Sequence, residues 1–381
     1  MLNTKKILEG FCKQNISLAI FLFVNLIFMI KYCSRQTHYY LTFSVIITLI
    51  YWVIWNKKNH LNRLPITFSK QNFILIIFIL VLSYFAFQKI PTASLHVDRW
   101  SVINSFWNNY FDNKYVYFAK SNAGNYPGPM PFYFVLALPF YFFGEFGWLS
   151  ILGILLFYGF LKHSKTSQLN TTTGLLLVTC SVFFWWEILS RSNIFLNSTM
   201  VIFVLYHHIN MQNYDKKNII ITGVLIGLVI STRNVLVIPF IITFVFQLKK
   251  RFIKPIQILF IGMVAGTTFI ISFLPFVYNH IDDFQIMNPF IIQSTALVPF
   301  QYTMLFLFFA FISGLVCRSI NDVFCYSGLV LFVSIFIYFL YHFSLVGFQK
   351  TFFDSFADIS YFILCIPFCL FDILSTKKPL I

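Results

Sequence analysis

The chain has 381 residues and a net charge of +15, with 59% hydrophobic and only 10% charged residues. Soluble domains carry about 25% charged residues, so this composition excludes a water-soluble globular protein. Spanning helices need about 20 residues each, so twelve of them would take about 240 residues, which leaves no room for a large soluble domain. The composition therefore predicts an all-α integral membrane protein.

The apolar segments, taken in chain order, predict a polytopic bundle of about 12 transmembrane helices. An additional apolar segment at 131–143 has a proline near each end and many aromatic residues, which favours a place at the headgroup level. The first apolar run lacks a signal-peptidase site, and we interpret it as a retained span. The predicted spans lie near 16–31, 38–55, 72–89, 147–161, 173–190, 194–210, 219–231, 235–248, 256–277, 302–317, 323–342 and 359–375.

The distribution of charge predicts the orientation of the chain. With both termini in the cytoplasm, eighteen of the 27 Lys and Arg residues fall in inner segments and nine in outer ones. Of the twelve acidic residues, eight fall on the outer side. Positive residues concentrate on the cytoplasmic side of membrane proteins, so the positive charge indicates topology and not nucleic-acid binding. We expect a multi-pass protein of a bacterial inner (plasma) membrane.

Residues 219–246 could form one long helix, but that helix would place Arg233 near the centre of the bilayer, at a cost of about 2.5–3.5 kcal/mol or more. It would also move the later basic loops to the outer side. We therefore predict two short spans that meet at 231–234, where irregular backbone is tolerated if it lines a cavity.

The longest polar stretch, at about 90–130, is predicted to lie outside and to be rich in aromatic residues. Wound as a helix, VDRWSVINSFWNNYF gathers aromatic and apolar side chains on one face, with polar side chains opposite. We expect interfacial amphipathic helices here that lie on the membrane and meet an amphiphile. The predicted apolar face consists of Trp100, Ile103, Phe106, Trp107 and Tyr110, and the polar face of Asp98, Ser101, Ser105 and Asn109.

Asp98 begins this outer loop just beyond the third predicted span. A carboxylate at a membrane-facing cleft can accept a proton from an incoming hydroxyl as a general base, or it can hold a divalent cation. A helix N-cap is the structural alternative.

Three further outer residues could converge with Asp98. Glu187 could be a second acid and a metal ligand, and Arg191 could bind a phosphate, although residues four apart on a helix could instead pair with each other. Arg233, at the break between two short spans, suits a lipid phosphate, and its structural alternative is a cation that snorkels to the interface.

Other polar residues have weaker functional interpretations. Asp112 suits a turn, and the acids that follow His280 suit a solvated loop. The seven cysteines include no C-x-x-C pair and suit small buried apolar side chains. The remaining candidates are His96, Arg99, His207, His208, Asp282, Asp283 and His342.

The sequence also lacks several motifs. It contains no D-x-D, which sites for nucleotide sugars usually contain, and no Walker-A or H-E-x-x-H motif. Few ionisable residues fall at mid-depth in the spans, which disfavours a proton-relay transporter.

The order of these features resembles the integral-membrane GT-C superfamily of glycosyltransferases. An Asp opens the first large outer loop, and D-N-K-Y-V-Y (112–117) follows where family members often show G-x-x-P-Y. Gly128, Pro129 and Pro131 then lead into an apolar segment, and an outer acid near an Arg follows, then two short spans. The sequence is most similar to polyprenyl-phosphate-sugar-dependent enzymes of glycosyltransferase family 87 and mannosyltransferase-like proteins.

This resemblance implies one polytopic membrane domain over residues 1–381. It comprises a two-span extension (1–71), a GT-C-like core (72–250) with its outer loop (90–146), and C-terminal spans (251–381). It implies that Asp98 is the catalytic base of an inverting transferase that takes its sugar from a polyprenyl-phosphate carrier. The acceptor would be a lipid-linked glycan or another surface glycan on the outer face. Glu187 matches the family only by position, and a divalent cation is the one cofactor that the resemblance leaves open.

Two alternative interpretations stay open. A polysaccharide polymerase or ligase that acts on lipid-linked oligosaccharides would also have many spans, but it usually has its large loop late in the chain. A non-enzymatic transporter of lipid-linked sugars would have a polar, charged pore.

Overall fold

The computed structural model describes residues 2–57, 67–95, 97–211, 213–296 and 298–375. Within these ranges the chain forms helices and turns and contains no strand. His96 and the predicted inner cations at Lys58, Arg63, Lys377 and Lys378 lie outside the described residues.

The described ranges contain seventeen α-helices. In chain order they are α1 (Leu2–Cys33), α2 (Tyr40–Lys57), α3 (Phe68–Lys89), α4 (Arg99–Phe111), α5 (Pro131–Phe143), α6 (Trp148–His163), α7 (Gln168–Thr179), α8 (Val182–Leu189), α9 (Ile194–Ile209), α10 (Lys216–Ile230), α11 (Val237–Lys249), α12 (Pro255–Val277), α13 (Ile281–Ile286), α14 (Pro289–Ala296), α15 (Phe300–Val316), α16 (Ile320–Phe348) and α17 (Ile366–Leu374). Short 3₁₀ segments include Asn234–Leu236, before α11, and Ile359–Cys365, before α17.

Five helices in the described part of the chain are long and apolar enough to cross a membrane. A sixth candidate is the pair α7–α8, whose two halves pass together but bend by 59° at a short break. Six other apolar helices have 10–17 residues, which at 1.5 Å per residue gives about 15–26 Å against a hydrocarbon core of about 30 Å. The structure thus has the predicted membrane-spanning character, and the number of twelve spans is not confirmed.

Every predicted apolar segment coincides with a helix or a helix pair, and 131–143 corresponds residue for residue to α5. The predicted break also forms. α10 ends at Ile230, a turn follows at Ser231 and Thr232, and a 3₁₀ turn leads into α11. The chain therefore does not form one continuous helix here, and Arg233 has extended backbone between two helices.

The helices pack around one large apolar core. α10 packs against α12, α11 against α15, α6 against α9, and α1 against both α2 and α17. Gly227 allows the closest of these approaches, because a Cβ atom there would lie 2.5 Å from the carbonyl oxygen of Ala265 on α12. Small residues bring helices together in this way in membrane proteins.

Two hydrogen bonds join segments that are distant in the chain and that were predicted to lie on the same side. On the predicted inner side, the Asn170 amide of α7 donates to the carbonyl of Leu374 in α17 (2.7 Å). On the predicted outer side, the Tyr115 hydroxyl donates to the carbonyl of Met287 (2.7 Å).

The predicted amphipathic helix forms as α4, but its aromatic face does not lie on a membrane surface. Ile103, Phe106 and Trp107 are buried in a second apolar cluster with α5 and α12. Phe106 stacks on Phe134 of α5, with ring centroids 3.7 Å apart. Ser101, predicted on the polar face, is also buried, since its hydroxyl accepts a hydrogen bond from the Asn122 backbone. α5 and α12 therefore cover Ile103, Phe106 and Trp107 of the predicted apolar face, whereas Trp100 is half-buried and Tyr110 is 38% exposed.

Candidate functional site

Asp98 lies immediately before α4, in the position of its N-cap, but its side chain does not cap the helix. One carboxylate oxygen, Oδ2, accepts hydrogen bonds from the Asn125 amide (2.7 Å) and the Ser121 hydroxyl (3.5 Å). The residue is half-buried. The carboxylate is therefore held by the loop at 121–125 and not by the first turn of the helix, which leaves the capping alternative without support.

Arg99, next in the chain, links α4 to three other parts of the bundle. Its guanidinium donates to the hydroxyl of Ser192 (3.0 Å), to the carboxylate of Asp358 and to the hydroxyl of Ser360. Its Cζ atom lies 5.6 Å from the centroid of the Trp186 ring. The side chain is only 10% exposed. These contacts fix the backbone at Asp98 relative to α8, α9 and the 3₁₀ turn before α17.

The Arg99–Asp358 ion pair shifts the titration of both groups. Burial alone would raise the pKa of Asp358, but the Arg99 charge and hydrogen bonds from Ser360 more than offset it, so this pKa lies below its ordinary value. Burial alone would lower the pKa of Arg99, and the Asp358 charge more than offsets it, so the net shift is upward. Both groups are therefore charged at neutral pH.

Arg233 occupies the break between α10 and α11. Its Cζ atom lies 5.6 Å from the ring centroid of Tyr133 and 5.3 Å from that of Tyr361. Its Nε atom is buried without a hydrogen-bond partner, and none of the acids in the described ranges forms an ion pair with its guanidinium. Arg233 is thus a cation held by aromatic rings and available to an anion.

The backbone of the break is held at the start of α5. The carbonyl of Ser231 accepts a hydrogen bond from the Phe132 backbone N–H (2.9 Å), and that of Thr232 accepts one from Met130 (3.3 Å). These two bonds satisfy carbonyl groups that the end of α10 leaves free. They also place Arg233 beside Tyr133 of α5.

The Tyr133 side chain lies near several of the candidate residues. It is 2% exposed and interacts electrostatically with Arg233, Arg99, Asp98 and Glu187. Asp98 and Arg233 are 135 positions apart in the chain, and both are close enough to Tyr133 to interact with it electrostatically. We call Asp98, Arg99, Tyr133, Arg233 and Tyr361 the outer cluster.

Glu187 is fully buried behind this cluster. Its Oε1 atom accepts hydrogen bonds from the Phe195 backbone N–H (2.9 Å) and the Ser192 hydroxyl (3.2 Å). Phe195 lies in the first turn of α9, where free N–H groups and the helix dipole stabilise a carboxylate. The position of Glu187 favours an anchoring role, because it holds the start of α9 and the Ser192 side chain that contacts Arg99.

Arg191 has a complete set of partners. It forms a bidentate ion pair with Glu145 (3.0 and 3.1 Å) and donates to the backbone carbonyls of Ile90 (2.8 Å) and Leu189 (2.9 Å). Its Cζ atom lies 4.8 Å from the Phe87 ring, and the side chain is fully buried. Arg191 therefore does not pair with Glu187 four residues earlier, and its guanidinium has no free edge for a phosphate.

Glu187 was suggested as a metal ligand together with Asp98. Its carboxylate oxygens face the Phe195 backbone N–H and the Ser192 hydroxyl. The described part of the chain contains no group of three or more His, Cys, Asp or Glu side chains placed to hold a metal ion, and a divalent cation at Asp98 and Glu187 stays a prediction.

The other polar candidates lie apart from the outer cluster. Asp112 forms an exposed ion pair with Lys114 (2.9 Å). His280 pairs with Asp283 (2.9 Å) in the loop after α12, consistent with a local structural role. Buried His208 contacts the Gln247 amide (2.9 Å) at the other end of the bundle.

Sequence reasoning missed the roles of Glu145, Ser192 and Asp358. Each binds one of the arginines of the outer end, and each lies far from its partner in the sequence, so no local pattern identifies it. For Asp358, the sequence offered one indication, an acid placed directly before an apolar segment.

Comparison of this chain with known proteins yields no match among family models, curated proteins or solved structures.

Proposed function

We propose that this chain is an integral-membrane glycosyltransferase. It moves a sugar, with inversion, from a polyprenyl-phosphate carrier to a lipid-linked glycan or another surface acceptor on the outer face of the membrane. The observation that carries the proposal is the outer cluster itself. A carboxylate with one oxygen free of partners among the described residues interacts electrostatically with Tyr133, and a guanidinium without a counter-ion among them lies over the Tyr133 ring.

The proposed chemistry needs both groups. The acceptor hydroxyl attacks the anomeric carbon while Asp98 accepts its proton as a general base. The bond between that carbon and the phosphate oxygen breaks, and the carrier leaves as a phosphate monoester. The leaving group gains negative charge in this step, which a fixed cation stabilises. Arg233 is the cation available for this, and Arg191 is not included because its donors are occupied.

The outer position of the cluster supports a lipid carrier as the donor. Asp98 and Arg233 lie at the end of the bundle that carries the predicted outer loops. Nucleotide sugars are cytoplasmic, and the sequence has no D-x-D for them. A carrier that has already crossed the membrane would present its phosphate at the level of Arg233.

The Asp98→Asn variant tests this proposal. Asn keeps the size of the side chain and can still accept a bond through its oxygen, but it cannot take a proton. Turnover of a polyprenyl-phosphate sugar by the purified variant should fall by about 10²–10⁴-fold, with normal amounts of folded protein.

Asp112→Asn is the matched control, because Asp112 is an exposed acid in the same loop whose one ion-pair partner among the described residues is Lys114. It should retain turnover close to that of the unmodified protein. If Asp98→Asn and Asp112→Asn transfer sugar equally well, Asp98 is not the base and the proposed mechanism is wrong.

A further inference from the structure

A second cationic site lies at the outer end of α1, apart from Arg233. Lys31, in the last turn of α1, is 1% exposed. No described residue accepts a hydrogen bond from its ammonium or forms an ion pair with it, and its nearest aromatic partner is the Phe352 ring, 5.7 Å from Nζ. A buried ammonium without an acceptor is costly to maintain. Because of this cost, we expect a bound anion near Lys31 to stabilise its ammonium.

A groove of about 460 Å³ lies just beyond the end of α1, at Ser34 and Arg35, and Lys31 does not line it. Two of its lining residues, Arg35 and Asp354, interact electrostatically with the Lys31 ammonium. Asp358 also interacts with it, but the Asp358 carboxylate is taken by Arg99. Asp354 is therefore the one carboxylate near Lys31 that no ion pair in the described structure occupies. The groove is lined by Ser34, Arg35, Tyr40, Gln349, Phe353 and Asp354.

Arg35 is the accessible cation of this groove. It is exposed, its Cζ atom lies 5.2 Å from the Tyr32 ring, and its one hydrogen bond in the described structure is a long contact to the Phe353 carbonyl (3.4 Å). The guanidinium therefore keeps donors for a ligand. An arginine fork with a nearby ammonium suits a phosphate, which accepts several charge-assisted hydrogen bonds.

The surroundings of the groove indicate that its ligand is amphiphilic. The chain leaves α16 at Gly347, whose φ of +82° turns it into the segment Gln349–Phe353 that forms one wall. Large apolar side chains next to this wall are exposed, among them Leu345 (59%), Phe348 (50%) and Phe356 (57%). A ligand with its phosphate in the groove can lay an apolar tail on this surface.

A chain of aromatic contacts connects the groove with the outer cluster. Arg35 lies over Tyr32, the Tyr32 and Trp186 ring centroids are 5.8 Å apart, and Arg99 lies over Trp186. Two aromatic rings in contact thus separate the cation of the groove from Arg99 of the outer cluster, which places the two sites close together.

We propose that Arg35 binds the phosphate of a lipid-linked substrate, that the buried charge of Lys31 stabilises this phosphate from behind the groove, and that the substrate is the acceptor. The naming of the acceptor rests on the proposed glycosyltransferase function, whereas phosphate binding in the groove does not. The donor phosphate and the acceptor phosphate would then have separate cations, Arg233 for the former and Arg35 with Lys31 for the latter.

Farnesyl diphosphate is a suitable probe, titrated against the full-length protein in phosphatidylcholine nanodiscs. The Arg233→Gln variant should still bind it, because the groove is intact. Adding Arg35→Gln to that variant should weaken binding about tenfold, as expected for the loss of charge-assisted hydrogen bonds. Lys31→Met, which keeps the apolar stem of the side chain and removes the charge, should also weaken binding. Lys114→Gln, an exposed outer cation elsewhere, is the control and should have no effect.

The proposed phosphate site in the groove is wrong if the double variant with Arg233→Gln and Arg35→Gln binds the probe as tightly as Arg233→Gln alone. It is also wrong if Arg233→Gln alone loses all binding. Phosphatidylglycerol added to the nanodisc distinguishes the source of the phosphate. If it displaces the probe as readily as farnesyl diphosphate binds, the groove holds bulk lipid headgroups and the acceptor assignment is wrong. If the groove binds the probe but the protein transfers no sugar, the site stands and the glycosyltransferase proposal fails.

Discussion

A guanidinium that lies over aromatic rings uses its faces for those contacts and keeps its in-plane N–H groups for an anion. Arg233 has this environment, between Tyr133 and Tyr361. Arg191 also lies over a ring, that of Phe87, but all three of its guanidinium nitrogens donate hydrogen bonds to Glu145 or to backbone carbonyls. Arg191 is also fully buried, whereas Arg233 is half-buried. The two arginines have the same charge, and the state of their donors and their burial distinguish them.

The Arg233→Lys variant should bind the donor more weakly. A lysine keeps the charge but presents neither the planar fork nor the surface that contacts two rings. We expect the KM for the polyprenyl-phosphate sugar to rise about tenfold or more, with a much smaller change in the KM for the acceptor. Steady-state kinetics with each substrate varied in turn measures this difference.

Arg191→Lys provides the comparison. It breaks the bidentate pair with Glu145 in a buried position, so its main effect should be a lower thermal unfolding temperature and not a higher KM for the donor. An equal rise in both KM values for Arg233→Lys would argue against a donor-specific role for Arg233.

The sequence identified Asp98 and Arg233 because each stands at a local discontinuity, the start of a long outer loop and a break between short spans. It did not identify the environments of Arg191 and Glu187. Arg191 pairs with a residue 46 positions away, and Arg99 with one 259 positions away. Such partners depend on which helix ends meet, and a single sequence contains no local record of that.

At the level of elements, the Arg99–Asp358 ion pair joins α4 to the 3₁₀ turn at Ile359–Cys365. Asp358 accepts bonds from both the Arg99 side chain and the Ser360 backbone N–H (2.9 Å). α4 is otherwise held by the second apolar cluster, with α5 and α12. The pair therefore connects the segment that carries Asp98 to the main core, and its strength should affect how Asp98 is positioned.

This pair should make stability depend on pH in the acidic range. The pKa of Asp358 is lowered in the folded protein, so its contribution is fully present above the ordinary aspartate pKa of about 3.9 and is lost as the pH falls toward the folded value. Asp358→Asn should unfold at a lower temperature than the unmodified protein at pH 7, and its unfolding temperature should fall less below about pH 4.

Thermal unfolding in detergent across this pH range measures the effect. Asp112→Asn is the control, because an exposed ion pair contributes little to stability. Identical acid-range profiles for Asp358→Asn and the unmodified protein would mean that the Arg99–Asp358 pair does not contribute to folding.

Hydropathy and proline positions located the helices well, because an apolar run in a membrane protein forms a helix wherever it packs. The same reasoning misplaced the aromatic face of α4. A helix face that contacts lipid and a helix face that contacts protein have the same apolar periodicity in the sequence. Only the partners at Phe134 and Phe276 decide between them, and these lie on other helices.

For the whole molecule, the predicted orientation rests on the distribution of charge. The sequence assigns eight of the twelve acidic residues to outer segments and eighteen of the 27 basic residues to inner ones. The outer cluster and the groove at Arg35 belong to segments assigned to the outer side. Five described helices are long and apolar enough to cross a membrane. The proposed donor and acceptor sites thus share one predicted side of the membrane.

Cysteine labelling tests this orientation. Ala123 is exposed in the predicted outer loop, and Gln168 is exposed at the start of α7 on the predicted inner side. In a cysteine-free background, Ala123→Cys should react with a membrane-impermeant maleimide in intact cells, and Gln168→Cys only after permeabilisation. The reverse pattern would place the outer cluster in the cytoplasm.

The identity of the sugar donor decides whether this protein is the proposed polyprenyl-phosphate-dependent glycosyltransferase. Purified protein in nanodiscs would be given the same radiolabelled sugar either as a polyprenyl monophosphate ester or as a nucleotide sugar, with an extract of lipid-linked glycans as acceptor. We expect transfer from the polyprenyl monophosphate sugar only, and loss of that transfer in Asp98→Asn. Transfer from the nucleotide sugar without any lipid carrier would contradict the proposal that this protein is a polyprenyl-phosphate-dependent glycosyltransferase.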